Sequence, residues 1–243
     1  MDSSPPLISI VIPIYNEASL LTSAIGDLED ELRGLALAYE VILAENGSND
    51  TTPELAQELA KQRAQVRLVS SDQPNYGLAL RRGIEAARGS YVFCDEIDLL
   101  DTGFYRQALE LLEAQQADVV VGSKLSPGAS DERPWTRHAA SILYTSLLRV
   151  LVGFRGTDTH GLKAFRRLPM LRVVRSCQIE KDVFSSELLI RAQRSGLRVL
   201  EIPTRVREKR PPSIRLYARV PSVCVSLAKL FWSIRIKGGS ARG

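Results

Sequence analysis

Leu7 to Ile14 (LISIVIPI) is a run rich in β-branched residues, interrupted by a single hydroxyl, which is the pattern of a strand buried on both faces. Asn16 and Glu17 then open a stretch with apolar residues at helical spacing, predicting a helix to about Leu35. Glu40 to Ala44 (EVILA) predicts a second strand, stopped by the turn-forming ENGSNDTT, where Ser48, Asn49 or Asp50 can cap a helix over about Pro53 to Gln62. Val66 to Ser70 reads as a third strand and Gly77 to Arg88 as a helix closed by Gly89 in the C′ position. Tyr91 to Cys94 reads as a fourth strand.

The alternation continues past the acidic stretch Asp95 to Asp101. A helix is expected over about Phe104 to Gln115 and a strand over Asp118 to Gly122, followed by a polar linker, SPGASDERP, with too few apolar residues to pack. Helical spacing returns over Arg137 to Val152, a strand is expected around Gly161 to Phe165, a helix across Phe184 to Ser195 and a strand at Leu197 to Pro203. Arg215 to Lys237 reads as helical and apolar with interleaved bases. Strand and helix in turn, with long returns, predict βαβ units and an α/β fold built on a mostly parallel sheet flanked by helices. The expected organisation is one domain over 1–212 and a C-terminal amphipathic appendage over 213–243.

Charge divides the chain. The net +4 is the sum of −12 over residues 1–121, where 8 Lys and Arg face 20 Asp and Glu, and +16 over 122–243, where 24 face 8. Opposed halves imply different partners, the basic one suited to phosphates, nucleic acid or an anionic membrane surface. Cys94, Cys177 and Cys224 lie far apart without a metal-binding or disulfide spacing, which fits a cytoplasmic setting. Met1 to Pro6 lacks the basic start of a secretory signal, and no apolar stretch reaches the ~18–20 residues that cross a bilayer. The protein is therefore expected to be soluble or peripheral at the membrane.

In an open parallel sheet, ligands bind beyond the carboxyl ends of the strands. There the sequence places Tyr15, Asn16 and Glu17, then Glu45, Asn46 and Asp50, then Asp72 and Asn75, and finally Asp95, Glu96 and Asp98. So many acids on one edge repel one another unless a cation or a donor-rich ligand such as a nucleotide neutralises them.

The ordered motifs VIPIYNE (Val11 to Glu17), ENGSNDTT, NYGLALRRGIEAARGSYV (Asn75 to Val92), VVVGSK (Val119 to Lys124), DTHGLKAFRR (Asp158 to Arg167) and SSELLIRAQRSGLRVLEIP (Ser185 to Pro203) carry a resemblance. Over about residues 8 to 213 the chain resembles the family 2 glycosyltransferases of the GT-A, Rossmann-like fold, most closely the dolichol-phosphate mannose synthase and polyprenyl-phosphate glycosyltransferase branch. That resemblance implies a nucleotide and metal half over 1–121 and an acceptor half over 122–212. It implies nucleotide contacts from Pro13, Tyr15 and Glu17, with Glu45 or Asn46 at the base edge, and a GDP- or UDP-sugar as donor. It implies a divalent cation, Mg²⁺ or Mn²⁺, on paired acids, and two oxygen donors at i and i+2 suit such hard ions.

The chain departs from the family pattern twice. Its metal motif reads Asp95-Glu96-Ile97-Asp98, so the pair is either Glu96 with Asp98 or Asp95 with Asp98, and Glu45-Asn46 replaces an Asp-Asp. The resemblance further implies a polyprenyl phosphate acceptor at the cytosolic membrane face, already anionic and needing cations rather than a base, with inversion from one displacement. Lys124, Arg137, Lys209 and Arg210 fall where those cations are expected, and Asp98, Lys124 and Arg137 are the candidate catalytic residues.

Other readings remain open beside this one: a soluble hydroxyl acceptor, which would require a carboxylate base, and a non-catalytic nucleotide-sugar-binding relative with a degenerate metal site. Nucleic acid is not expected as a partner, because the bases lack interleaved stacking aromatics. His138 and His160 have no partner at metal-ligand spacing, and Glu187 is either an acceptor-side acid or a helix-surface residue. Val220 to Ile236 and Ala139 to Val152 have the character of helices lying in a headgroup plane, with Phe231 and Trp232 beside Arg219, Lys229 and Arg235. A single helix of this kind serves equally as core or as a homo-oligomer interface.

Overall fold

The computed structural model describes residues 6–34, 37–132, 134–181, 183–206 and 220–236. In chain order its elements are β1 (Ile8–Ile14), α1 (Leu21–Gly34), β2 (Tyr39–Glu45), α2 (Thr52–Gln62), β3 (Val66–Val69), α3 (Tyr76–Ala86), β4 (Tyr91–Cys94), α4 (Thr102–Glu113) and β5 (Val119–Ser123). There follow β6 (Ser130–Asp131), α5 (Trp135–Val152), β7 (Lys163–Arg166), α6 (Arg167–Ser176), α7 (Phe184–Arg194), β8 (Val199–Pro203), β9 (Arg205–Val206), α8 (Val220–Phe231) and a π-helical turn, Trp232–Ile236. The seven-stranded sheet runs β3-β2-β1-β4-β7-β5-β8. All neighbours are parallel except β7, which runs against both β4 and β5.

Double-faced burial explains why β1 is apolar at nearly every position. Ile8, Ile10, Ile12 and Ile14 pack on one face with Leu21, Leu28, Leu59 and Leu112 of α1, α2 and α4. Val11 points to the other face, where Leu80 of α3, Met170 of α6, Leu188 of α7 and Leu148 of α5 form a second core. The chain leaves β1 toward β2 and β3, then returns to place β4 on β1's other side, so the order reverses at the carboxyl ends of β1 and β4. That crevice is where an open α/β sheet takes its ligand.

Several local expectations are corrected. Helix α1 begins at Leu21 rather than at Asn16 and Glu17, because Asn16 takes a left-handed φ of 55° that a helix cannot continue. Helix α3 stops at Ala86, and Gly89 is not its cap. Gly89 instead passes so close to β1 that a Cβ there would lie 2.7 Å from the Ile8 carbonyl carbon, and its N–H donates to Ser9 Oγ at 2.8 Å. The polar linker is not wholly unstructured, since Ser130–Asp131 pairs in parallel with Arg205–Val206 through backbone groups that need no apolar side chain. Helix α6 has no counterpart in the sequence-based expectation. The helix at the chain's end begins at Val220 among the described residues, and Leu227, Leu230 and Ile234 bury against Leu148, Val152 and Leu189.

Candidate active site

Three loops at the reversal point are laced by side chains that cap each other's backbone. Asn16 N–H donates to Ser48 Oγ at 3.0 Å and its Oδ1 accepts from Asn49 N–H at 2.9 Å, while Glu17 N–H donates to Thr52 Oγ1 at 2.8 Å. Asp50, one of the expected caps, accepts from Thr52 N–H at 2.9 Å. Glu45 and Asn46 are buried. Glu45 accepts from Ser48 N–H at 2.6 Å and the side-chain Oδ1 of Asn46 accepts from the Asn75 N–H, so both residues hold the turns between β2, β3 and their helices. Tyr15 stands exposed, and Pro13 and Glu17 half-buried, on the rim of the same crevice.

The acids after β4 separate by direction. Asp95, 2% exposed, points inward. One of its oxygens accepts from Glu96 N–H at 2.6 Å, and the other accepts from Asp101 N–H at 3.2 Å and Tyr105 Oη at 2.5 Å. Burial pushes its carboxyl up to about 7, although those three donors pull it down. Asp95 thus braces the 95–101 loop from beneath. Glu96 is exposed and Asp98 half-buried. Desolvation in the cleft, then repulsion from Asp98, raises the Glu96 pKa. Among the described residues no three His, Cys, Asp or Glu side chains gather at a metal-binding spacing. Glu96 and Asp98 are two oxygen donors that repel each other, a donor set that fits a hard ion of the Mg²⁺ or Mn²⁺ kind, which takes few protein ligands.

Antiparallel β7 brings the start of a strand to this same edge. Its first residue, Lys163, pairs with Cys94, the last of β4. The buried Lys163 ammonium donates to Gly161 O at 2.7 Å; burial lowers its pKa, and the facing Asp158 and Glu96 oppose that. Lys124, at the end of β5, is buried and donates to Asp158 Oδ2 at 2.6 Å. Burial alone would raise the Asp158 pKa, but the Lys124 charge and hydrogen bond and the His160 N–H (2.9 Å) hold it below the usual range. Glu201 of β8 accepts from Thr157 N–H at 2.6 Å and from the Thr157 hydroxyl, and Thr157 Oγ1 lies 2.7 Å from Ser123 Oγ. The loop closes over β5 at Gly161, where a Cβ would stand 1.7 Å from Gly122 O.

The structure brings Glu96, Asp98, Lys124 and the Asp158–Lys163 loop to one edge, with the Pro13–Glu17 and Glu45–Asn46 turns bounding its other side. Arg137 lies half-buried on the first turn of α5. Lys209 and Arg210 lie outside the described residues. Two features were not anticipated. Tyr76, directly after the helix-capping Asn75, is exposed at the start of α3, and its phenol pKa is raised by desolvation and then by the Glu96 charge. Tyr144 Oη, Ser186 Oγ and Thr159 Oγ1 form a chain of 2.8 Å contacts beside His160, and no sequence spacing signals it.

Glu187 is not a helix-surface residue. It is fully buried, and its Oε2 accepts from Gln178 N–H (3.0 Å) and Ile179 N–H (2.8 Å). Its Oε1 accepts from Arg191 Nε (2.8 Å) and Ser233 Oγ (2.9 Å).

A family model described as Glycosyl transferase family 2 matches residues 9–174. Glycosyltransferase AglD of Haloferax volcanii is 30% identical over 235 residues, which are 95% of this chain and 38% of AglD, so the chain spans well under half of that relative. A dolichyl-phosphate hexose transferase of the same organism is 29% identical over 204 residues, 83% of either chain. A dolichyl-phosphate beta-glucosyltransferase of Saccharomyces cerevisiae is 26% identical over 228 residues, 83% of this chain and 67% of its own. Among solved structures, glucosyl-3-phosphoglycerate synthase from Mycobacterium tuberculosis with UDP superposes with a TM-score of 0.66 at 21% identity, covering 93% of this chain and 80% of that one. The same enzyme with Mn²⁺, UDP and glucosyl-3-phosphoglycerate gives 0.64. The likeness establishes the GT-A fold for the described sheet and helices.

Proposed function

The chain belongs to glycosyl transferase family 2, and from that membership we propose that it transfers a sugar from a nucleoside diphosphate sugar to a polyprenyl phosphate, inverting the anomeric carbon. The observation that carries this reading is the outward pair Glu96 and Asp98 at the reversal edge, with Asp95 withdrawn beneath it and two buried lysines behind. The relatives named for dolichyl-phosphate transfer support the acceptor, and the structures solved with UDP and Mn²⁺ support the donor and the ion.

Glu96 and Asp98 would hold Mg²⁺ or Mn²⁺, which when bound offsets charge on the departing diphosphate. Tyr15, Pro13 and Glu17 flank the nucleotide, while Glu45 and Asn46 keep the turns rigid enough to receive it. The acceptor phosphate is anionic at neutral pH and attacks without a general base, so the acceptor half orients it. Arg137, with Lys209 and Arg210, supplies cations for that phosphate. Lys124, clasped by Asp158, supports the floor of the site with its charge.

The exposed side of α5 and α8 supports a membrane-facing surface at the cytosolic side. Leu143, Leu147 and Val150 line the outer face of α5, and Val225, Phe231, Trp232 and Ile236 that of α8 and its π-turn. Among the described residues no helix is long and apolar enough to cross a membrane, so this face would lie in the headgroup plane.

The test is sugar transfer by the purified protein from UDP- and GDP-sugars to polyprenyl phosphate with Mn²⁺ or Mg²⁺. Asp98→Asn is expected to lower turnover at least a hundredfold. A product formed only on soluble hydroxyl acceptors, or turnover unchanged in both Asp98→Asn and Glu96→Gln, would overturn the proposal.

A further inference from the structure

The end of the molecule remote from the catalytic edge holds a second site. Val199 precedes Pro203 by four strand residues, which places the start of β8 about 13 Å from the edge. There the ends of α5 and α7, the start of β8 and the π-turn enclose a cavity of about 540 Å³ whose walls include Val152, Ile190, Val199, Arg155, Arg194 and Arg235. Three of its lining residues are arginines and none is acidic.

The electrostatic balance favours an anion. Three helix carboxyl ends, those of α5, α7 and the π-turn, contribute about half a negative charge each, so three arginines leave about +1.5. Carbonyls at the end of α5 and in the π-turn are already bonded: Arg194 donates to Val152 O at 3.1 Å and to Ile234 O at 2.9 Å, and Arg235 Nε donates to Leu151 O at 3.2 Å. Arg155 is exposed, and its backbone N–H is anchored on Gln193 Oε1 at 3.1 Å.

Apolar walls beside these cations point to a ligand with an apolar body. The exposed Val150, Trp232 and Ile236 lie on the same elements, within three residues of the lining residues Val152 and Arg235, so the cavity adjoins the apolar face of α5 and α8 in sequence. Helix α5, 18 residues and about 27 Å long, connects this end to the catalytic edge. We propose that the cavity is a headgroup site for an anionic phospholipid, with the acyl chains along the α5 and α8 face. It thereby pins the end of α5 opposite the acceptor site. This rests on the membrane-facing reading of that surface.

The test is co-sedimentation with phosphatidylcholine vesicles, with and without phosphatidylglycerol. Phosphatidylglycerol should tighten binding, and Arg155→Ala/Arg235→Ala should weaken that tightened binding about thirty-fold, from roughly fivefold per arginine near a charged surface. Arg155→Ala alone, which removes no hydrogen bond of the described fold, should weaken it about fivefold. Lys61→Ala/Arg106→Ala removes equal charge from α2 and α4 across the sheet and should change binding less than twofold. Equal loss in both double variants would reduce the effect to undirected charge and overturn the site. Competition by sn-glycerol 3-phosphate at the same affinity would make it a soluble-phosphate site and overturn the lipid assignment. Binding to phosphatidylcholine without any gain from phosphatidylglycerol would overturn the headgroup site alone, whereas binding to neither vesicle would overturn the membrane-facing reading as well. UDP binding with Mn²⁺, measured on each variant, stays at the wild-type value and keeps the donor-site reading separate.

Discussion

Replacing Glu187 by alanine removes one carboxylate on which four donors converge inside the protein: the Gln178 and Ile179 N–H groups, Arg191 and the Ser233 hydroxyl. Glu187 is 0% exposed, so water cannot substitute without opening the fold. Each hydrogen bond to a charged group contributes about 1.5–3 kcal/mol, but the four share one desolvation cost and do not add. Arg191, whose side chain is only 15% exposed, would be left beside a void, and breaking one side of such a pair costs about 3–5 kcal/mol. We take about 4 kcal/mol, a large share of the ~5–15 kcal/mol that holds a domain together. At roughly 2–4 °C per kcal/mol for a chain of this size, Tm should fall by about 8–16 °C.

Glu187→Gln should fall between the two proteins. Its amide keeps one acceptor but turns a donor toward either Arg191 or the two N–H groups, and only the Ser233 hydroxyl can rotate to accept. Hydrogen exchange should show where the loss occurs. Ser233 ties the π-turn to α7 through this carboxylate, so amides over 223–236 should lose protection in Glu187→Ala before those of β1 and β4 do. A Tm within 2 °C of wild type, or exchange over 223–236 no faster than before, would refute the view that Glu187 joins α8 to the domain.

Gly161→Ala should yield little soluble protein or a steep fall in Tm, because the new Cβ meets the Gly122 carbonyl at 1.7 Å. Gly26→Ala in α1 has nothing within 4 Å and should raise stability by up to about 1 kcal/mol; a loss there would contradict the packing. Glu40 accepts from Ser9 Oγ (2.6 Å), Arg67 (2.7 Å) and the Arg88 N–H (2.7 Å), and although burial raises its pKa these partners bring it below the usual value. A lowered folded-state pKa gives stability that is present above the unfolded value and is lost as pH falls through the folded one. The urea midpoint of wild type should therefore exceed that of Glu40→Gln at pH 7, and the gap should close as pH falls below the ordinary glutamate value of about 4.3; a gap independent of pH would contradict this. Lys124→Met should cost about 3–5 kcal/mol by stranding Asp158, and Lys124→Met/Asp158→Leu should recover most of that in denaturant melts while still failing to transfer sugar.

Doubly buried strands advertise themselves: β1 has Ile8, Ile10, Ile12 and Ile14 on one face and Val11 on the other, so its apolar run could be read directly, whereas the strand order, with its reversal beside β1, could not. Strand direction leaves no such trace. Lys163 to Arg166 has the same residues whether it runs with or against β4, because pairing sense is decided by distant partners rather than by local pattern. The acid cluster showed the same division. Four residues, Asp95 to Asp98, displayed candidate ligands, but which carboxylate turned inward depended on Tyr105 and on the Asp101 N–H, both reached only through the folded loop. Glu187 was legible as an acid and not as a buried joint, since its donors come from a loop nine residues before it and a turn 46 residues after it. Gly89 was legible as a glycine required near a helix end, though the requirement came from β1 passing alongside it.

The reversed strand β7 has a further consequence. Because β5 and β7 are antiparallel neighbours, with Val121 facing Lys163, the chain leaves the sheet at Lys124 and re-enters beside the same spot. Everything between, including β6, α5 and the Asp158 loop, is in topological terms one outsized hairpin connection hung from the catalytic edge. A segment that leaves and re-enters at adjacent points can change length without changing the register of the seven-stranded sheet, and loop-closure entropy rises only slowly with such changes, although its β6 pairing with β9 and the packing of Leu148 and Val152 against α8 must be kept. On the proposed reading, the segment that would meet the acceptor is thus a single insertion into the sheet whose other strands would hold the donor. Grafting 124–162 from a relative with another acceptor is the natural route to redirecting the sugar while leaving Glu96, Asp98 and the nucleotide turns in place.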